Sequence, residues 1–297
     1  MNTRTRLREI VAEPGLSVWP GAYDALSAKL IERAGFDAIV AGGYAAIGSM
    51  MAEADLGQSN VRDYAAHYER ICSSVDIPVY VDGDTGFGGL HNVRQMIRAF
   101  EGAGVAGVFF SDQVFPNRCG YLPGKEVVST EQMLARLNAA LDARRDESMM
   151  IVGRTDVYGI EGLEAAIERC QRFLETGVDA AKPQGVDTIE EIRRVVSEIP
   201  CPHIGTLSQA AGPPKVTLDE VAAAGVTSVT LPSAALFAAA AAVGEMLEAV
   251  RRDGSLEYIG DKLMPLPEYY ELVGLNEAVA REERYDIAAQ TTLPRVL

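Results

Sequence analysis

The amino-acid sequence predicts an α/β protein folded as a (β/α)8 barrel, the TIM-barrel architecture. Short apolar runs rich in β-branched residues alternate with longer amphipathic segments along most of the 297 residues. Eight such pairs fit within about 250 residues, the usual size of this barrel. Several amphipathic segments end in a glycine directly before the next apolar run, where a helix needs a left-handed C-terminal residue. An open doubly wound sheet is the alternative, but no GxGxxG follows the first predicted strand.

The predicted elements follow from the period of the apolar residues, which differs between strands and helices. Strands are predicted over residues 17–20, 38–41, 78–82, 105–110, 149–154, 179–182, 202–206 and 228–231. Helices are predicted over residues 26–34, 64–74, 92–103, 130–144, 162–176, 188–199 and 217–224.

The end of the chain has helical character without a strand period. Residues 234–249 are rich in alanine and predict a tightly packed helix. We therefore predict a barrel catalytic domain over residues 1–250 and a C-terminal helical extension over residues 251–297. The extension is expected to pack on the barrel or on a partner subunit.

The composition is that of an ordinary globular protein, with 48% hydrophobic and 23% charged residues. The formal net charge of −15 argues against binding to nucleic acid or to an anionic membrane surface. No apolar run is long enough for a transmembrane helix, and the first residues lack the apolar core of a signal peptide. The four cysteines show no CxxC spacing, which argues against disulfides and favours a cytoplasmic setting.

The most informative segment is VYVDGDTGFGG at residues 79–89, where a predicted strand ends in two carboxylates and a glycine-rich turn. Side chains at positions i and i+2 of a strand point to the same side, so Asp82 and Asp84 are expected to converge. Two such carboxylates repel each other unless a proton or a cation lies between them. Mg²⁺ suits this site because it takes one or two carboxylates together with water and substrate oxygens. The alternative is that both aspartates only form a turn or cap a helix.

Residues at the carboxyl ends of barrel strands face the active site. The polar residues at these predicted positions come from all parts of the chain: Asp24, Asp55, Asp82, Asp84, Ser111, Asp112, Arg154, Lys182, Gln184, Thr206 and Gln209. The sequence therefore predicts one polar site at this end of the barrel.

Other features near the strand ends add candidate functional groups. Arg154 is suited to a bidentate grip on a substrate carboxylate, although it would also suit a structural pair with a barrel aspartate. Residues 115–125 form a long loop of the kind that often closes over a site. This lid loop contains Cys119, whose thiol the neighbouring Arg118 would make more acidic, unless the cysteine is inert. The glycines at 42–43 either expose backbone N–H groups to a substrate oxyanion or form a tight turn.

Six segments together resemble the isocitrate lyase / phosphoenolpyruvate mutase superfamily. They are GAYDALSA at residues 21–28, DLG at 55–57, VDGDTGFG at 81–88, DQ at 112–113, RCG at 118–120 and GRTD at 153–156. The resemblance implies a (β/α)8 barrel, dependence on Mg²⁺ with Mn²⁺ as a substitute, and a small α-keto or α-hydroxy acid substrate. It also implies a homo-oligomer, a tetramer in which paired subunits exchange a C-terminal helix.

The resemblance implies a role for each matching residue. Asp82 would bind the metal directly, while Asp84 and Asp55 would hold metal-bound waters. Arg154 would grip the substrate carboxylate.

Two further roles concern the glycine pair and the lid loop. Gly42 and Gly43 would lie against the carboxylate and enolate oxygens of the substrate. Cys119, beside Arg118, matches a lid cysteine that protonates the departing enolate in the lyase branch of the superfamily. The mutase branch generally lacks this cysteine, so its presence favours a lyase.

The chain departs from the superfamily pattern at several of these positions. The lid loop reads NRCGY at residues 117–121, where lyases usually carry Lys-Lys/Arg-Cys-Gly-His. The positions that usually hold Glu, Glu, Asn and Glu are here Ser111, Gln184, Thr206 and Gln209. Together with Lys182, these changes make the site less negative. Specificity would then depend on the lid loop and on the residues Tyr44, Tyr121, Tyr158, Gln184 and Thr206.

The predicted function is a Mg²⁺-dependent carbon–carbon lyase that cleaves a 2-hydroxy di- or tricarboxylate, of the 2-methylisocitrate or dimethylmalate type, through a pyruvate-like enolate. Retro-aldol cleavage needs a base for the hydroxyl proton, a Lewis acid for the enolate and an acid for the carbanion. The alternatives are hydrolysis or decarboxylation of an oxaloacetate-like keto acid, P–C bond chemistry of the phosphonopyruvate hydrolase or mutase type, and a family member without catalysis.

Overall fold

The computed structural model describes residues 2–120, 122–208, 212–255 and 257–292. Within these ranges eight parallel strands alternate with helices, as predicted. The ends of the strands differ from the predicted ends by no more than two residues. The strands are β1 (Ser17–Pro20), β2 (Ile39–Ala41), β3 (Val79–Asp82), β4 (Gly107–Ser111), β5 (Met150–Thr155), β6 (Ala180–Pro183), β7 (Ile204–Thr206) and β8 (Ser228–Leu231).

The strands close into a barrel. Strands β2 to β6 pair in sequential order, and a second sheet has the order β1–β8–β7. The pairing of β1 with β8, in which Ser17 lies opposite Ser228, joins the first strand to the last. A bridge between Gly21 and Val40 connects the end of β1 to β2. Because the first strand lies between the second strand and the last, the predicted TIM-barrel-like fold is confirmed and the open doubly wound sheet is excluded.

The helices of the barrel include all those predicted and three that the sequence analysis did not identify, α1, α3 and α7. Helix α3 carries small and apolar residues all round, so no helical period distinguished it. The helices are α1 (Thr3–Ala12), α2 (Ala25–Arg33), α3 (Gly43–Met51), α4 (Val61–Cys72), α5 (Leu90–Gly102), α6 (Thr130–Ala143), α7 (Tyr158–Glu161), α8 (Leu163–Leu174), α9 (Ile189–Glu198), α10 (Leu218–Ala223) and α11 (Ala234–Asp253).

Alternate residues of the strands pack into two separate apolar layers. The inner layer fills the barrel and contains Trp19, Tyr80 and Met150, together with Leu7 from α1. The rings of Trp19 and Tyr80 meet edge to face, with their centroids 5.4 Å apart. The outer layer lies between the strands and the surrounding helices. A Cβ added to Gly107 would lie 2.8 Å from the Leu7 side chain, so glycine lets α1 approach β4 closely.

The chain divides into two compact units, of which the first ends at Ala238 and the second begins at Ala239. The second unit contains the rest of α11, a 3₁₀ helix (Glu257–Lys262), α12 (Leu266–Leu272) and α13 (Leu275–Thr292). Large apolar side chains are exposed on it, including Leu247, Leu266 and Tyr285, each more than half accessible. None of the helices in the described ranges is both long enough and apolar enough to cross a lipid bilayer.

Candidate active site

Residues from the carboxyl ends of the strands line one pocket of the first unit. It brings together most of the residues predicted from the sequence: Gly42, Gly43, Tyr44, Asp55, Asp82, Asp84, Ser111, Arg118, Cys119, Arg154, Lys182, Gln184 and Thr206. These residues are far apart in the sequence and meet because parallel strands end on the same side of a barrel. The pocket is therefore the candidate active site.

Asp82 ends β3, and Asp84 follows it in a tight turn. The backbone φ of Asp84 is +58°, so the alternation of strand side chains no longer applies at this residue. The N–H of Asp84 donates to Asp82 Oδ1 at 2.8 Å, which folds the turn back onto the strand end. Tyr68 holds the strand end by donating its hydroxyl to the carbonyl oxygen of Asp82 at 2.9 Å. The carboxylates of Asp82 and Asp84 interact electrostatically. They are brought together by the turn and not by the alternation of side chains along a strand.

Gly42 and Gly43 begin helix α3. They do not form the tight turn that the sequence analysis gave as the alternative. Gly42 is the N-cap, and the N–H of Gly43 donates to Asp82 Oδ2 at 3.2 Å. A Cβ on Gly43 would lie 3.1 Å from the Tyr64 hydroxyl and 3.2 Å from that carboxylate oxygen, so glycine permits the close approach. The amino end of a helix carries a partial positive charge, which α3 directs at the aspartates.

Three carboxylates share this part of the pocket, of which those of Asp55 and Asp84 are buried. Burial and the negative charge of Asp82 raise the pKa of Asp55 to about 6. Burial and the charges of Asp82 and Asp55 raise the pKa of Asp84 well above its ordinary value, and burial raises the pKa of Asp82. Oδ1 of Asp55 and both carboxylate oxygens of Asp84 are buried without a hydrogen-bond partner. A cation would satisfy these oxygens and relieve the repulsion among the carboxylates.

The donor set fits a hard divalent cation that takes only some of its ligands from the protein. Within the described ranges, no three His, Cys, Asp or Glu side chains are arranged to hold a metal ion by themselves. Mg²⁺ typically binds one or two carboxylates and completes its shell with water and substrate oxygens. One direct carboxylate, with the others acting through water, is compatible with that preference.

Arg154 reaches the same pocket from β5 and is already paired with a carboxylate. Its Nη2 donates to Asp156 Oδ1 at 2.9 Å, and its Nε lies 2.9 Å from Oδ2. Asp112 holds Asp156 in place by accepting its N–H at 2.9 Å, and it also accepts the Thr155 hydroxyl at 2.6 Å. Arg169 pairs with Asp112 at 2.8 Å. Asp112, expected to face the site, is instead fully buried behind it and supports Asp156.

Side chains that the sequence analysis did not single out hold the lid loop over the pocket. The Gln113 amide donates to the carbonyl oxygen of Arg118 at 2.9 Å and accepts its N–H at 3.0 Å. Lys125 donates to the carbonyl oxygen of Gly120 at 2.5 Å and lies 3.5 Å from Asp156 Oδ1. Gln113 and Lys125 lie at or next to the two ends of the predicted loop. This position is the feature of the sequence that could have identified them.

Cys119 lines the pocket within this lid loop. Its N–H donates to the carbonyl oxygen of Asp55 at 3.4 Å. The thiol interacts electrostatically with Arg154, a cation that the sequence analysis did not place beside it. A Cβ on Gly120 would collide with the Arg154 side chain, which shows how closely the lid loop packs on the guanidinium.

Two tyrosines that were predicted to affect specificity occupy different places. Tyr44, in the first turn of α3, is 37% exposed and lines the pocket. Its ring meets that of Phe237 edge to face, with the centroids 5.8 Å apart. Tyr158 lies outside the pocket lining, and its hydroxyl is 2.9 Å from Glu191 Oε1.

The other predicted polar residues do not add to the pocket. Asp24 caps helix α2, where it accepts the N–H of Ser27 at 2.7 Å, so its expected place in the polar site is wrong. An aspartate before a helix satisfies orphan N–H groups, which explains why this residue type occurs there. Tyr121 and Gln209 lie outside the described residues.

The closed barrel and its carboxylate-lined pocket define a (β/α)8-barrel enzyme. Sequence comparison matches residues 7–251 to the family described as phosphoenolpyruvate phosphomutase. The chain is 36% identical over 289 residues to 2-methylisocitrate lyase of Aeropyrum pernix, covering 97% of this chain and 93% of that protein. It is 32% identical over 285 residues to 2,3-dimethylmalate lyase of Eubacterium barkeri, covering 96% of this chain and 99% of that protein.

Solved structures of related enzymes share the fold. Oxaloacetate acetylhydrolase in complex with 3,3-difluorooxalacetate superposes with a TM-score of 0.90 at 28% identity, covering 96% of this chain and 97% of that one. Phosphonopyruvate hydrolase in complex with oxalate and Mg²⁺ superposes with a TM-score of 0.85 at 30% identity, covering 96% and 99%. The chain belongs to the phosphoenolpyruvate mutase / isocitrate lyase superfamily, which confirms the resemblance found in its motifs. It is an enzyme of the carbon–carbon lyase type.

We expect Asp84→Asn to raise the free energy of unfolding of the metal-free protein by about 1 kcal/mol or more near pH 8, because it removes one of three mutually repelling buried charges. The folded pKa of Asp55 is about 6 and its ordinary value is 3.8, so folding retains protons there and stability falls as pH rises between these values. The gain from Asp84→Asn should therefore be smaller near pH 5, where the cluster is partly protonated.

Urea denaturation in the presence of EDTA measures the free energies of unfolding of the wild-type protein and the variant, near pH 8 and near pH 5. Asp37→Asn, at an exposed position outside the pocket, is the matched control and should leave the stability nearly unchanged. An equal effect of Asp84→Asn at both pH values would contradict the electrostatic explanation.

Proposed function

We propose that the protein is a Mg²⁺-dependent lyase that cleaves a 2-hydroxy di- or tricarboxylate related to 2-methylisocitrate or 2,3-dimethylmalate. The observation that carries the proposal is the convergence, in one pocket, of three aspartates, two of which have unpartnered buried oxygens, with Arg154 and Cys119. A cation site, a carboxylate-binding cation and a proton donor are the groups that this cleavage needs. The names of the two lyase relatives support the substrate class.

Asp82 is the proposed direct ligand of Mg²⁺, which Mn²⁺ would replace. Asp55 and Asp84 are proposed to accept hydrogen bonds from metal-bound waters, because their unpartnered oxygens need donors. When bound, Mg²⁺ would act as a Lewis acid on the substrate's hydroxy-acid oxygens, which makes the hydroxyl proton easier to remove. The related phosphonopyruvate hydrolase was solved in complex with oxalate and Mg²⁺, which supports this choice of metal.

Arg154 is proposed to bind a carboxylate of the substrate. Asp156 faces the Nε–Nη2 edge of the guanidinium, which leaves the Nη1 edge for a ligand. Gly42 and Gly43 at the start of α3 would contact substrate oxygens, since they bring the amino end of a helix next to Asp82. Gln184 and Thr206 are proposed substrate contacts because both line the same pocket.

Cys119 is proposed to be the acid that completes the cleavage. A carboxylate of the aspartate cluster takes the proton of the substrate hydroxyl, the carbon–carbon bond breaks as the keto acid carbonyl forms, and the electron pair of that bond stays on a carbon of the departing acid fragment. The Cys119 thiol then gives its proton to that carbon, leaving a thiolate that Arg154 and Arg118 stabilise. The lid loop is tied down by Gln113 and Lys125, which would keep water away from the carbanion.

We expect Cys119→Ser to lower kcat by about 100-fold or more, because a hydroxyl is a far weaker acid than a thiol and general acid catalysis is worth this much. Turnover of a 2-hydroxy dicarboxylate in D2O, followed by mass spectrometry, measures both the rate and the proton delivered to the product. Cys72→Ala, which removes a thiol at the end of α4, is the control and should keep full turnover. Full activity of Cys119→Ser would exclude the thiol from the proton transfer.

We expect Mg²⁺ and oxalate to bind together to the wild-type protein, and Asp82→Asn to weaken this binding by about 100-fold, because metal and ligand share the site. Isothermal titration calorimetry with and without EDTA measures the binding. A panel of 2-hydroxy acids and of oxaloacetate, analysed by mass spectrometry, identifies the reaction. Release of acetate and oxalate from oxaloacetate, with every 2-hydroxy acid left intact, would replace the proposed lyase activity by hydrolysis.

We also infer that the protein forms a cytoplasmic homo-oligomer, a tetramer in which the C-terminal helical extension over residues 251–297 is exchanged between subunits. The exposed Leu266, Tyr285 and neighbouring apolar side chains of the second unit support it, because such surfaces usually mark an interface. Light scattering should therefore give about four times the chain mass of 31.9 kDa. A monomer at micromolar concentration would contradict the inference.

A further inference from the structure

The pocket contains a buried lysine that the proposed mechanism does not use. Lys182 lies near the carboxyl end of β6, opposite Arg154 in the β5–β6 register, and is only 6% exposed. Its Nζ lies 5.5 Å from the centroid of the Phe109 ring, and the guanidinium carbon of Arg154 lies 6.0 Å from the same centroid. The two cations therefore lie beside each other over one aromatic ring and line the same pocket.

A chain of hydrogen bonds fixes how Lys182 presents its N–H groups. Its Nζ donates to Thr206 Oγ1 at 2.6 Å. Because the Thr230 hydroxyl donates to the carbonyl oxygen of Gly205 at 3.1 Å, the 3.0 Å contact between the two hydroxyls runs from Thr206 to Thr230. The Thr206 hydroxyl therefore donates its hydrogen to Thr230 and accepts a hydrogen bond from Lys182. An ammonium group has three N–H donors, so the other two are available to a ligand in the pocket.

Lys182 and Arg154 differ in how their charges are balanced. Arg154 lies 2.9 Å from Asp156, whereas no carboxylate in the described part of the chain lies within ion-pair distance of Lys182. The pKa of Lys182 is lowered to about 7, mainly by burial and secondly by the positive charge of Arg154. The negative charges of Asp82 and Asp156 oppose this shift only in part. A buried cation without a partner is costly, and an anion bound beside it supplies the missing charge.

We propose that Lys182 is a specificity-determining residue that binds a second carboxylate of the substrate, beyond the carboxylate assigned to Arg154. The inference rests on the proposed function, because it concerns the same substrate in the same pocket. It assigns Lys182 to the carboxylate on the fragment that departs from the keto acid. A neutral group of the same shape would leave Lys182 without an anion and should bind more weakly.

The experiment compares succinate with succinamide, a neutral molecule of the same size and shape. Each is titrated by calorimetry into wild-type protein and into Lys182→Met and Lys182→Gln, with Mg²⁺ and saturating oxalate and also without metal. Two variants are used so that a folding defect in one leaves the other available, and thermal melts identify such a defect. Lys29→Met, on helix α2 and outside the pocket lining, controls for the loss of one positive charge from the protein.

We expect wild-type protein to prefer succinate to succinamide by about tenfold or more, and the Lys182 variants to lose that preference through weaker succinate binding. Oxalate affinity should change by less than about threefold in these variants, since Arg154 and the metal site remain. A preference retained in both variants, a wild-type protein without any preference, or an equal loss of oxalate and succinate binding would overturn the inference.

The two proposals fail in different ways. If oxalate and Mg²⁺ do not bind to the wild-type protein, the proposed lyase mechanism falls, while the titrations without metal still decide whether Lys182 selects an anion. If oxalate and Mg²⁺ bind but succinate binding is independent of Lys182, the metal site stands and the inference about Lys182 is wrong.

Discussion

The rest of the site depends on one electrostatic constraint, a cluster of three carboxylates that the protein neutralises only in part. Asp55, Asp82 and Asp84 share a pocket. Burial and repulsion from neighbouring aspartates raise the pKa values of Asp55 and Asp84, burial raises the pKa of Asp82, and the charge of Arg154 opposes these shifts. The amino end of α3 and the turn after β3 supply N–H donors to Asp82, but oxygens of the other two aspartates have no donor. Such a cluster destabilises the folded protein when no cation is bound, and a bound cation removes this destabilisation. The arrangement therefore favours function at the expense of stability.

Two of the three cations that line the pocket, Arg154 and Lys182, are held in different ways. Arg154 is held by Asp156, which is itself held by Asp112 in a fully buried network, so its position is fixed before any ligand arrives. Among the described residues, Lys182 donates to a hydroxyl chain through Thr206, which orients its N–H groups without neutralising the charge. A ligand that brings negative charge to Lys182 would therefore gain more than one that brings it to Arg154.

Much of the site was predictable because parallel strands of a barrel deliver their last residues to one end. That rule placed Asp82, Arg154 and Gln184 together without any knowledge of side-chain contacts. It failed for Asp24 and Asp112, because a carboxylate at a strand end also caps helices and anchors loops, and residue type does not distinguish these uses.

By itself, the sequence determined the number and order of the strands, the superfamily, and most of the residues that meet in the pocket, since these depend on periodicity and local motifs. The pairing of the first strand with the last, which closes the barrel, is seen only in the tertiary structure. Only the tertiary structure decided how those residues are oriented and neutralised. The contacts of Gly43 with Asp82, of Lys182 with Thr206, and of Asp112 with the Asp156 that pairs with Arg154 all join segments that are distant in the sequence. Burial and charge balance depend on all the groups that surround a side chain in three dimensions, and no local pattern along the chain encodes them.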